Sequence, residues 1–420
     1  MHFALFKKWA GIAGEGIFSV CSTHPLVIRA AMQQARDAGV PLLVESTVNQ
    51  VNPDGGYTGM QPADFYRFLQ QLAAEAGFSQ HRMVVGGDHL GPYPWRHLPA
   101  EKAMAKAQLL AEQAVHAGYR KLHLDTSMAC AQDPLPLPPE TIAQRTAALA
   151  AVAEVAAARL GIADELFYVI GTEVPPPGGA TEALRVQVTP VETVQETIAT
   201  MRQAFLKRDL HRAWERVIAV VVQPGVEFSN HDVVDFQPKA AASLAHLQAE
   251  LEGIVYEAHS TDYQLPAALR QLVRGGFVIL KVGPWLTFAL REGLLALAQI
   301  EAELASVGKI SQPSKLREVL LQTMNAQPEF WQSYYHTDLE KWFGLSDRIR
   351  YYWAQPAVQR AVAQLLANLE SVTIPPGLLS QYLPDLYPAV RAGYLDSQPQ
   401  VLLLAKVKTV LDYYHRAVAC

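Results

Sequence analysis

The sequence predicts an α/β protein: a (β/α)8 TIM barrel over residues 1–308, with a C-terminal helical extension over residues 309–420. Eight short runs rich in Val, Ile and Leu alternate with helical patterns along roughly 290 residues, as expected for a sheet that helices cover. This length suits eight βα units, since such barrels usually have about 250 residues. The alternative is a doubly wound open sheet, but no G-x-G-x-x-G turn follows the first predicted strand.

Each predicted strand is a short apolar run that ends at glycine, proline or polar residues. Pro25, Pro62 and Pro139 open helical patterns, and Gly39 and Gly118 follow the ends of two others. A long polar loop, STVNQVNPDGGYTG, separates the second strand from its helix. The predicted strands span residues 17–21, 42–45, 83–88, 121–125, 167–173, 217–222, 254–259 and 277–281, and the helices span 25–39, from 62 onward, 100–118, 139–160, 191–214, 238–251, 266–274 and 285–304.

The extension has a different pattern, without clear strands. Its segment 342–353, WFGLSDRIRYYW, mixes five aromatic residues with two arginines. One interpretation is a helical cap on the barrel, with both arginines in surface ion pairs. The other is that Arg348 or Arg350 reaches over the barrel mouth and binds an anionic substrate group. Amphipathic helices are predicted at residues 313–322, 358–369 and 402–417.

Composition argues against several classes of partner. The 420 residues are 50% hydrophobic and 18% charged, with a net charge of -5 and no basic block, so neither nucleic acid nor an anionic membrane is an expected partner. No uncharged apolar run reaches about 18 residues, so no membrane span is predicted. The three cysteines, Cys21, Cys130 and Cys420, cannot all pair and lack metal-site spacing, which favours a reducing cytoplasm.

Polar or ionisable side chains follow every predicted strand, and Asp88 with His89 in GGDHLGP is the clearest case. Alone, this pair could be a helix-capping aspartate beside an ordinary loop histidine. The repetition favours an active site, because reactive groups of such barrels gather at the C-terminal strand ends and unpaired ionisable groups inside a barrel are costly. Alternation along the strands places His123 with Asp125, and Glu257 with His259, on shared faces. The strand-end residues are Ser22, His24, Glu45, Asp88, His89, His123, Asp125, Glu173, Gln223, Glu257, His259 and Lys281.

Imidazoles and carboxylates without paired thiols are typical of a divalent metal site, with zinc first and Mn, Co or Mg as alternatives. The first predicted ligands are His89 and His259, with Glu173 as the carboxylate. Asp125, His123 and Gln223 are second choices. A metal-free polar site is the alternative, although three imidazoles exceed what hydrogen bonding needs.

Three further regions are candidates for substrate binding. Asn49 and Gln50 lie in the long loop after the second strand, whose length and amide content favour function over a surface excursion. Lys281 ends the eighth strand just before a helix start, a position where barrels often bind phosphate. After the seventh strand, the polar residues are Ser260, Thr261 and Asp262, and simple helix capping by Ser260 or Asp262 is their alternative role.

Several long segments resemble the Z-type, non-catalytic subunit family of D-tagatose-1,6-bisphosphate aldolase, over nearly the whole chain. That family implies a barrel related to class II, zinc-dependent aldolases, and a partner that stabilises and activates the aldolase subunit. Some similar proteins epimerise ketohexoses or their 6-phosphates at C4. The matching segments are GIFSVCSTHPLV, ESTVNQVNPDGGYTGM, GGDHLGPYPW, KLHLDTSMAC, YVIGTEVPPPGGA, YEAHSTDYQ, LKVGPWLTFALREGL and LSDRIRYYW.

The class II aldolase pattern carries over only in part. Its Asp-His pair matches Asp88 and His89, its glutamate after strand five matches Glu173, and its last histidine ligand matches His259. Ser260-Thr261-Asp262 replaces the glycine-rich pattern that follows this histidine. The strand-six histidine has no counterpart, since the chain reads AVVVQPG there. The resemblance therefore implies an incomplete aldolase site.

We expect a metal-dependent epimerase that interconverts D-fructose and D-tagatose, or their 6-phosphates, by a retro-aldol and aldol route. Such a reaction needs two acid/base groups, for which Asp88 is the first candidate and Asp125 or Glu45 the second. A cationic site, Lys281 or Arg348, would hold a phosphate. The alternative is a non-catalytic subunit that binds a tagatose-bisphosphate aldolase, and the sequence leaves the oligomeric state open, a homo-oligomer included.

Overall fold

The protein's computed structural model describes residues 15–171 and 186–419. Eight parallel strands pair with their sequence neighbours, and the last pairs with the first, so the sheet is a closed barrel. This arrangement confirms the predicted fold class. The strands are β1 (Ile17–Val20), β2 (Leu42–Thr47), β3 (Met83–Leu90), β4 (Lys121–Leu124), β5 (Phe167–Ile170), β6 (Val217–Val221), β7 (Val255–Ala258) and β8 (Phe277–Val282).

Helices follow the strands and cover the outside of the barrel. Proline at the first turn begins several of them, as with Pro25, where the missing N–H costs no hydrogen bond. Gly39 ends the first helix in the left-handed region, with φ of 69°, and donates its N–H to the last turn. These helices are α1 (Pro25–Ala38), α2 (Pro62–Glu75), α3 (Ala100–Ala117), α4 (Pro139–Leu160), α5 (Val191–Leu206), α6 (Ala242–Glu250), α7 (Pro266–Arg274) and α8 (Pro284–Ser306).

Two details of the barrel differ from the predicted elements. The helix predicted over 191–214 ends at Leu206, and a separate short helix, His211–Trp214, follows it. A two-stranded hairpin, Glu227–Phe228 with Val233–Val234, lies after β6 and was not predicted. Such short strands carry too few residues for alternation to be detected.

The barrel interior has an apolar and a polar part. An apolar cluster, separate from the larger core between strands and helices, includes Leu43, Val84, Phe167 and Ile218. Further along the strands, towards their C-terminal ends, the buried side chains are charged or polar. The apolar side chains thus pack the barrel interior, and the polar ones lie at the C-terminal end, where active sites of this fold are found.

The C-terminal extension packs on the barrel wall. Its last helix, α14, contacts α8, α7 and α1, and the carbonyl of Val418 accepts the N–H of Gly16 just before β1. The helices of the extension are α9 (Leu316–Ala326), α10 (Asp338–Phe343), α11 (Pro356–Glu370), α12 (Pro376–Tyr382), α13 (Tyr387–Arg391) and α14 (Pro399–Val418). Within the described ranges, no helix is both long enough and apolar enough to cross a membrane.

Candidate active site

The end of β3 places the Asp88–His89 pair inside the barrel mouth. His89 adopts φ of 52°, a left-handed conformation that is uncommon for a residue with a side chain. Two residues later, a Cβ on Gly91 would lie 1.6 Å from the carbonyl oxygen of Asp125, so only glycine allows this approach of β3 to the end of β4. The approach brings His89 Nδ1 to 2.8 Å from Asp125 Oδ2.

Three imidazoles meet at this point. The ring centroids of His89, His123 and His259 are 4.9 to 5.1 Å apart in every pairing. One ligand atom from each ring and one carboxylate oxygen of Asp88 all lie within 4.8 Å of one another. The three rings come from the ends of β3, β4 and β7, so strands distant in sequence supply one cluster.

The donor set fits a divalent metal ion. His123 Nδ1 lies 3.0 Å from Asp88 Oδ1, and His89 Nδ1 faces Asp125, so carboxylates orient both rings. An ionised carboxylate can only accept, so His89 Nδ1 donates its proton to Asp125, while His123 Nδ1 lies within reach of both Asp88 Oδ1 and the main-chain N–H of His89, the latter at 3.2 Å. The Nε2 atom of His123 is buried and, within the described part of the chain, has no hydrogen-bond partner. A bound ion would satisfy this atom.

Buried charges lie against this cluster. Lys121 Nζ is 2.7 Å from both Glu45 Oε1 and Glu257 Oε2, and all three side chains are fully buried. Lys281 Nζ contacts Glu45 and lies 3.0 Å from Asp88 Oδ1 and 3.7 Å from Glu257 Oε1. Two lysines are thus shared by three carboxylates, which offsets the cost of burying each charge alone.

The charges of the site follow from these contacts. Burial opposes ionisation of Asp88, but Lys281, His89 and His123 outweigh it and hold the pKa of this carboxyl well below its usual range. Burial likewise opposes a charge on Lys281, but Asp88 and the neighbouring acids raise its pKa well above the usual value. Burial lowers the pKa of His259 to about 4, which leaves a neutral imidazole. A neutral ring and a carboxylate are the forms that bind a metal.

A cavity of about 550 Å³ opens above the cluster, within the range typical of small-molecule sites. Its wall combines the strand-end residues with side chains from the loops and from the extension. Arg350 and Tyr351 of the extension reach this wall. The polar lining includes Ser22, Thr23, His24, Thr47, Asn49, Gln50, Tyr57, Asp88, His89, His259, Ser260, Asp262, Lys281, Arg350 and Tyr351.

Most of the predicted binding residues lie in this wall. Gln50 lines the cavity, and its Oε1 also accepts the N–H of Thr47 at 2.8 Å. Thr261 is buried behind the wall, where its hydroxyl donates to the carbonyl of Lys281 at 2.6 Å. Asn49, Ser260, Asp262 and Lys281 also line the cavity.

Four predicted residues lie elsewhere. Glu45 is beneath the cavity in the lysine network, and Asp125 is behind His89, so neither lines the wall. Gln223 Oε1 accepts the N–H groups of Gly225 and Val226 and shapes its own loop. Arg348 lies over the ring of Tyr334, at 3.1 Å from its centroid, and does not line the cavity. Glu173 falls outside the described residues.

The structure places one second-choice ligand in the imidazole cluster and adds two residues that the ligand and acid/base predictions did not include. His123 is a full member of the imidazole cluster, where it had been a second choice. Lys121 shares a strand face with His123 and Asp125, so alternation along β4 could have found it. Glu257 shares a face with His259 in the same way, and its carboxylate lies 3.1 Å from His259 Nε2.

Fold and site together define a TIM-barrel protein with a candidate metal centre of three imidazoles at the C-terminal strand ends. Its sequence matches, over residues 5–419, the family described as D-tagatose-1,6-bisphosphate aldolase subunit GatZ/KbaZ-like. The chain belongs to this family, which confirms the resemblance seen in the sequence segments.

Three solved structures are similar to this chain. A crystal structure of a probable tagatose 6 phosphate kinase from Sinorhizobium meliloti 1021 is 46% identical, with 96% of this chain and 100% of that chain covered and a TM-score of 0.87. The YdjI aldolase from Escherichia coli K12 is 12% identical, with 86% and 94% covered and a TM-score of 0.43. Fructose-bisphosphate aldolase from Campylobacter jejuni is 13% identical, with 88% and 92% covered and a TM-score of 0.43.

Proposed function

We propose that this protein is a metal-dependent epimerase that interconverts D-fructose and D-tagatose, or their 6-phosphates, at C4. The observation that carries the proposal is the cluster of His89, His123 and His259 with Asp88 at the base of a sugar-sized cavity. Two of the rings are oriented by carboxylates, and an unpartnered Nε2 remains on His123. A purely structural barrel would have little reason to bury such a set.

The His89, His123 and His259 rings would hold a divalent ion, with zinc as the first choice for three imidazoles, and Asp88 beside them would remain for proton transfer. When bound, such an ion supplies Lewis acidity towards the substrate carbonyl and an adjacent hydroxyl. Around it, Asn49, Gln50 and other amide and hydroxyl groups of the wall offer donors and acceptors for sugar hydroxyls.

The reaction needs a proton acceptor on one face of C4 and a proton donor on the other. Loss of the C4 hydroxyl proton forms the aldehyde as the C3–C4 bond breaks, and the electron pair of that bond moves onto C3 and the C2 carbonyl as an enolate. The aldehyde then turns, C3 attacks its other face, and the new C4 oxygen takes up a proton. No atom is gained or lost, and only the configuration at C4 changes.

Two carboxyl groups are available for these proton transfers among the described residues of the cavity wall: Asp88 and Asp262. Lys281 beside Asp88 keeps that group ionised, which is the form that can accept a proton. Asp262 is anchored through one oxygen, Oδ1, by two main-chain N–H groups. Burial raises the pKa of Asp262 to about 6, close to the value that suits both acceptance and donation near neutral pH. Asp262 thus takes the second role, for which the sequence had suggested Asp125 or Glu45.

The test is turnover by the purified chain. Metal-stripped protein is supplied with zinc, manganese or cobalt and incubated with D-fructose 6-phosphate, D-tagatose 6-phosphate or the free sugars, and products are separated by chromatography. We expect metal-dependent interconversion that disappears in His123→Ala, while His246→Ala, an exposed histidine on α6, serves as the unaffected control. No turnover of any of the four sugars by metal-loaded protein would refute the epimerase proposal.

The second candidate function is that of a non-catalytic subunit that stabilises and activates a class II tagatose-1,6-bisphosphate aldolase. The family description favours it. Mixing the chain with such an aldolase subunit should then raise aldolase activity, and His123→Ala should do so equally well because the cavity would not be needed. Dependence of the activation on His123 would contradict a purely structural role.

A further inference from the structure

We propose that Arg350 is the receptor for an anionic end group of the ligand, a phosphate monoester, and that Asp262 closes the position where such barrels usually bind phosphate. The inference rests on the proposed function for its sugar-binding cavity. It adds the group that recognises phosphate and the element that presents it, namely the C-terminal extension.

The usual phosphate position is already filled. Phosphate in TIM barrels frequently sits at a helix N-terminus after strands seven and eight, where free N–H groups point at it. Here Asp262 Oδ1 accepts the N–H of Gly283 at 3.0 Å and that of Trp285 at 2.8 Å, and Pro284 between them has no N–H. The first donors of α8 are therefore taken by a carboxyl group of the protein, which would also repel an incoming anion.

Arg350, by contrast, presents a positive charge to the cavity. Its guanidinium lines the cavity, and its donors reach neutral acceptors: the carbonyls of Ser346 and Asp347 and the hydroxyl of Tyr351. No carboxylate within the described ranges forms an ion pair with it at 4.0 Å or less. Lys281, the other Lys or Arg side chain in that wall, already contacts three carboxylates. A half-buried guanidinium that lines a cavity and is not directly paired with a carboxylate is suited to a ligand anion.

The extension holds Arg350 in place through Asp347. This residue has φ of 46°, and its carboxylate accepts the hydroxyl of Thr287 at 2.5 Å and lies 3.2 Å from Arg291 Nη1. Thr287 and Arg291 belong to α8, so the turn that carries Arg350 is fixed to the barrel helix that Asp262 caps. The guanidinium also lies 4.5 Å from the ring centroid of Tyr351. These contacts restrict its rotamers and reduce the entropy lost on binding.

The experiment measures binding, so it does not depend on turnover. Calorimetric titrations of metal-loaded protein use D-fructose 6-phosphate, D-fructose and inorganic phosphate. In Arg350→Met, the dissociation constant for D-fructose 6-phosphate should rise about 10- to 100-fold, the effect of losing one charge-assisted contact. Binding of D-fructose should stay within about twofold, since it lacks the anion, and Arg350→Lys should recover part of the loss. Arg360→Met, an exposed arginine on α11, is the matched control.

Three outcomes would overturn the inference. Equal weakening of D-fructose and D-fructose 6-phosphate in Arg350→Met would mean that Arg350 only shapes the cavity. Unchanged affinity for D-fructose 6-phosphate in that variant, with a gain in Asp262→Asn, would place the anion at the α8 N-terminus. No preference of the unaltered protein for the phosphorylated sugar would remove the anion site altogether. Arg350-dependent phosphate binding without epimerase turnover would refute the proposed reaction and leave the receptor intact.

Discussion

Asp125 is expected to control metal affinity through the orientation of His89. Its carboxylate is buried and accepts the Nδ1 proton of His89 at 2.8 Å, while Ser127 donates its hydroxyl to the other oxygen at 2.6 Å. The substitution Asp125→Asn keeps the shape of the side chain and removes its charge. His89 then keeps a neutral hydrogen bond in place of a charge-assisted one, which is roughly half as strong.

The magnitude follows from two features of this contact. Loss of a carboxylate partner behind a metal-binding histidine typically lowers metal affinity by about 10- to 100-fold, or about 1.4 to 2.7 kcal/mol. His89 also has φ of 52°, a conformation that surrounding contacts must hold at a cost of about 1 to 3 kcal/mol. We therefore expect the zinc dissociation constant of Asp125→Asn to rise by at least about tenfold.

The assay is competition for zinc against a chelating indicator dye of known affinity, with unaltered protein and Asp125→Asn measured side by side. Asp133→Asn is the matched control, because Asp133 is also a mostly buried carboxylate, paired with Arg145 outside the cavity wall. Zinc affinity of Asp125→Asn within twofold of the unaltered protein would refute the reasoning. It would show that His89 either does not bind the ion or needs no carboxylate to orient it.

Two predictions concern stability. Burial raises the pKa of Glu227 from 4.5 to about 7. This carboxyl group therefore does not lower the free energy of unfolding below about pH 4.5, lowers it progressively as the pH rises, and lowers it most above pH 7. Glu227→Gln should therefore raise the free energy of unfolding at pH 8 by up to about 3 kcal/mol and leave it unchanged at pH 4, and equal effects at both pH values would contradict this. Gly91→Ala would place a Cβ 1.6 Å from the Asp125 carbonyl and should cost at least about 1 to 3 kcal/mol in urea unfolding, whereas Gly377→Ala, with open space around it, should not.

The fold could be predicted because eight short apolar runs, each ended by glycine, proline or polar residues, alternate with helical patterns. The predicted bounds of β1, β4 and β8 fall within one residue of the observed ones. The hairpin after β6 and the break in the helix at Leu206 were missed because two-residue strands and single helical breaks leave no period to detect. Local hydrogen bonds decide such features, and a sequence pattern does not report them.

Candidate site residues could be predicted where the position of a single residue at a strand end was enough to single it out. Asp88, His89 and His259 were predicted because they end apolar runs. Alternation would place the neighbours Asp88 and His89 on opposite faces, and His89 joins the cluster of Asp88 in a left-handed conformation that the sequence does not announce. His123 was harder to rank, because it looked like one of several equivalent second choices until the three rings were seen together. Arg350 could not be separated from Arg348, since both lie in one 3-10 turn, and only packing decides which side chain reaches the cavity.

The missing counterpart of the strand-six histidine of class II aldolases was the reason to expect an incomplete ligand set, and the proposed metal centre would take its third imidazole from His123 on β4. The C-terminal strand ends of a closed barrel surround one mouth, so an imidazole from β4 can reach the same point as one from β6. Gln223, at the end of β6, instead stabilises its own loop by accepting the N–H groups of Gly225 and Val226. The buried lysines and glutamates beside the cluster are paired with one another, although apolar residues of similar volume often fill such space with equal or greater stability. The proposed epimerase would use both an imidazole from β4 and this charge network, whereas a supporting subunit would need neither.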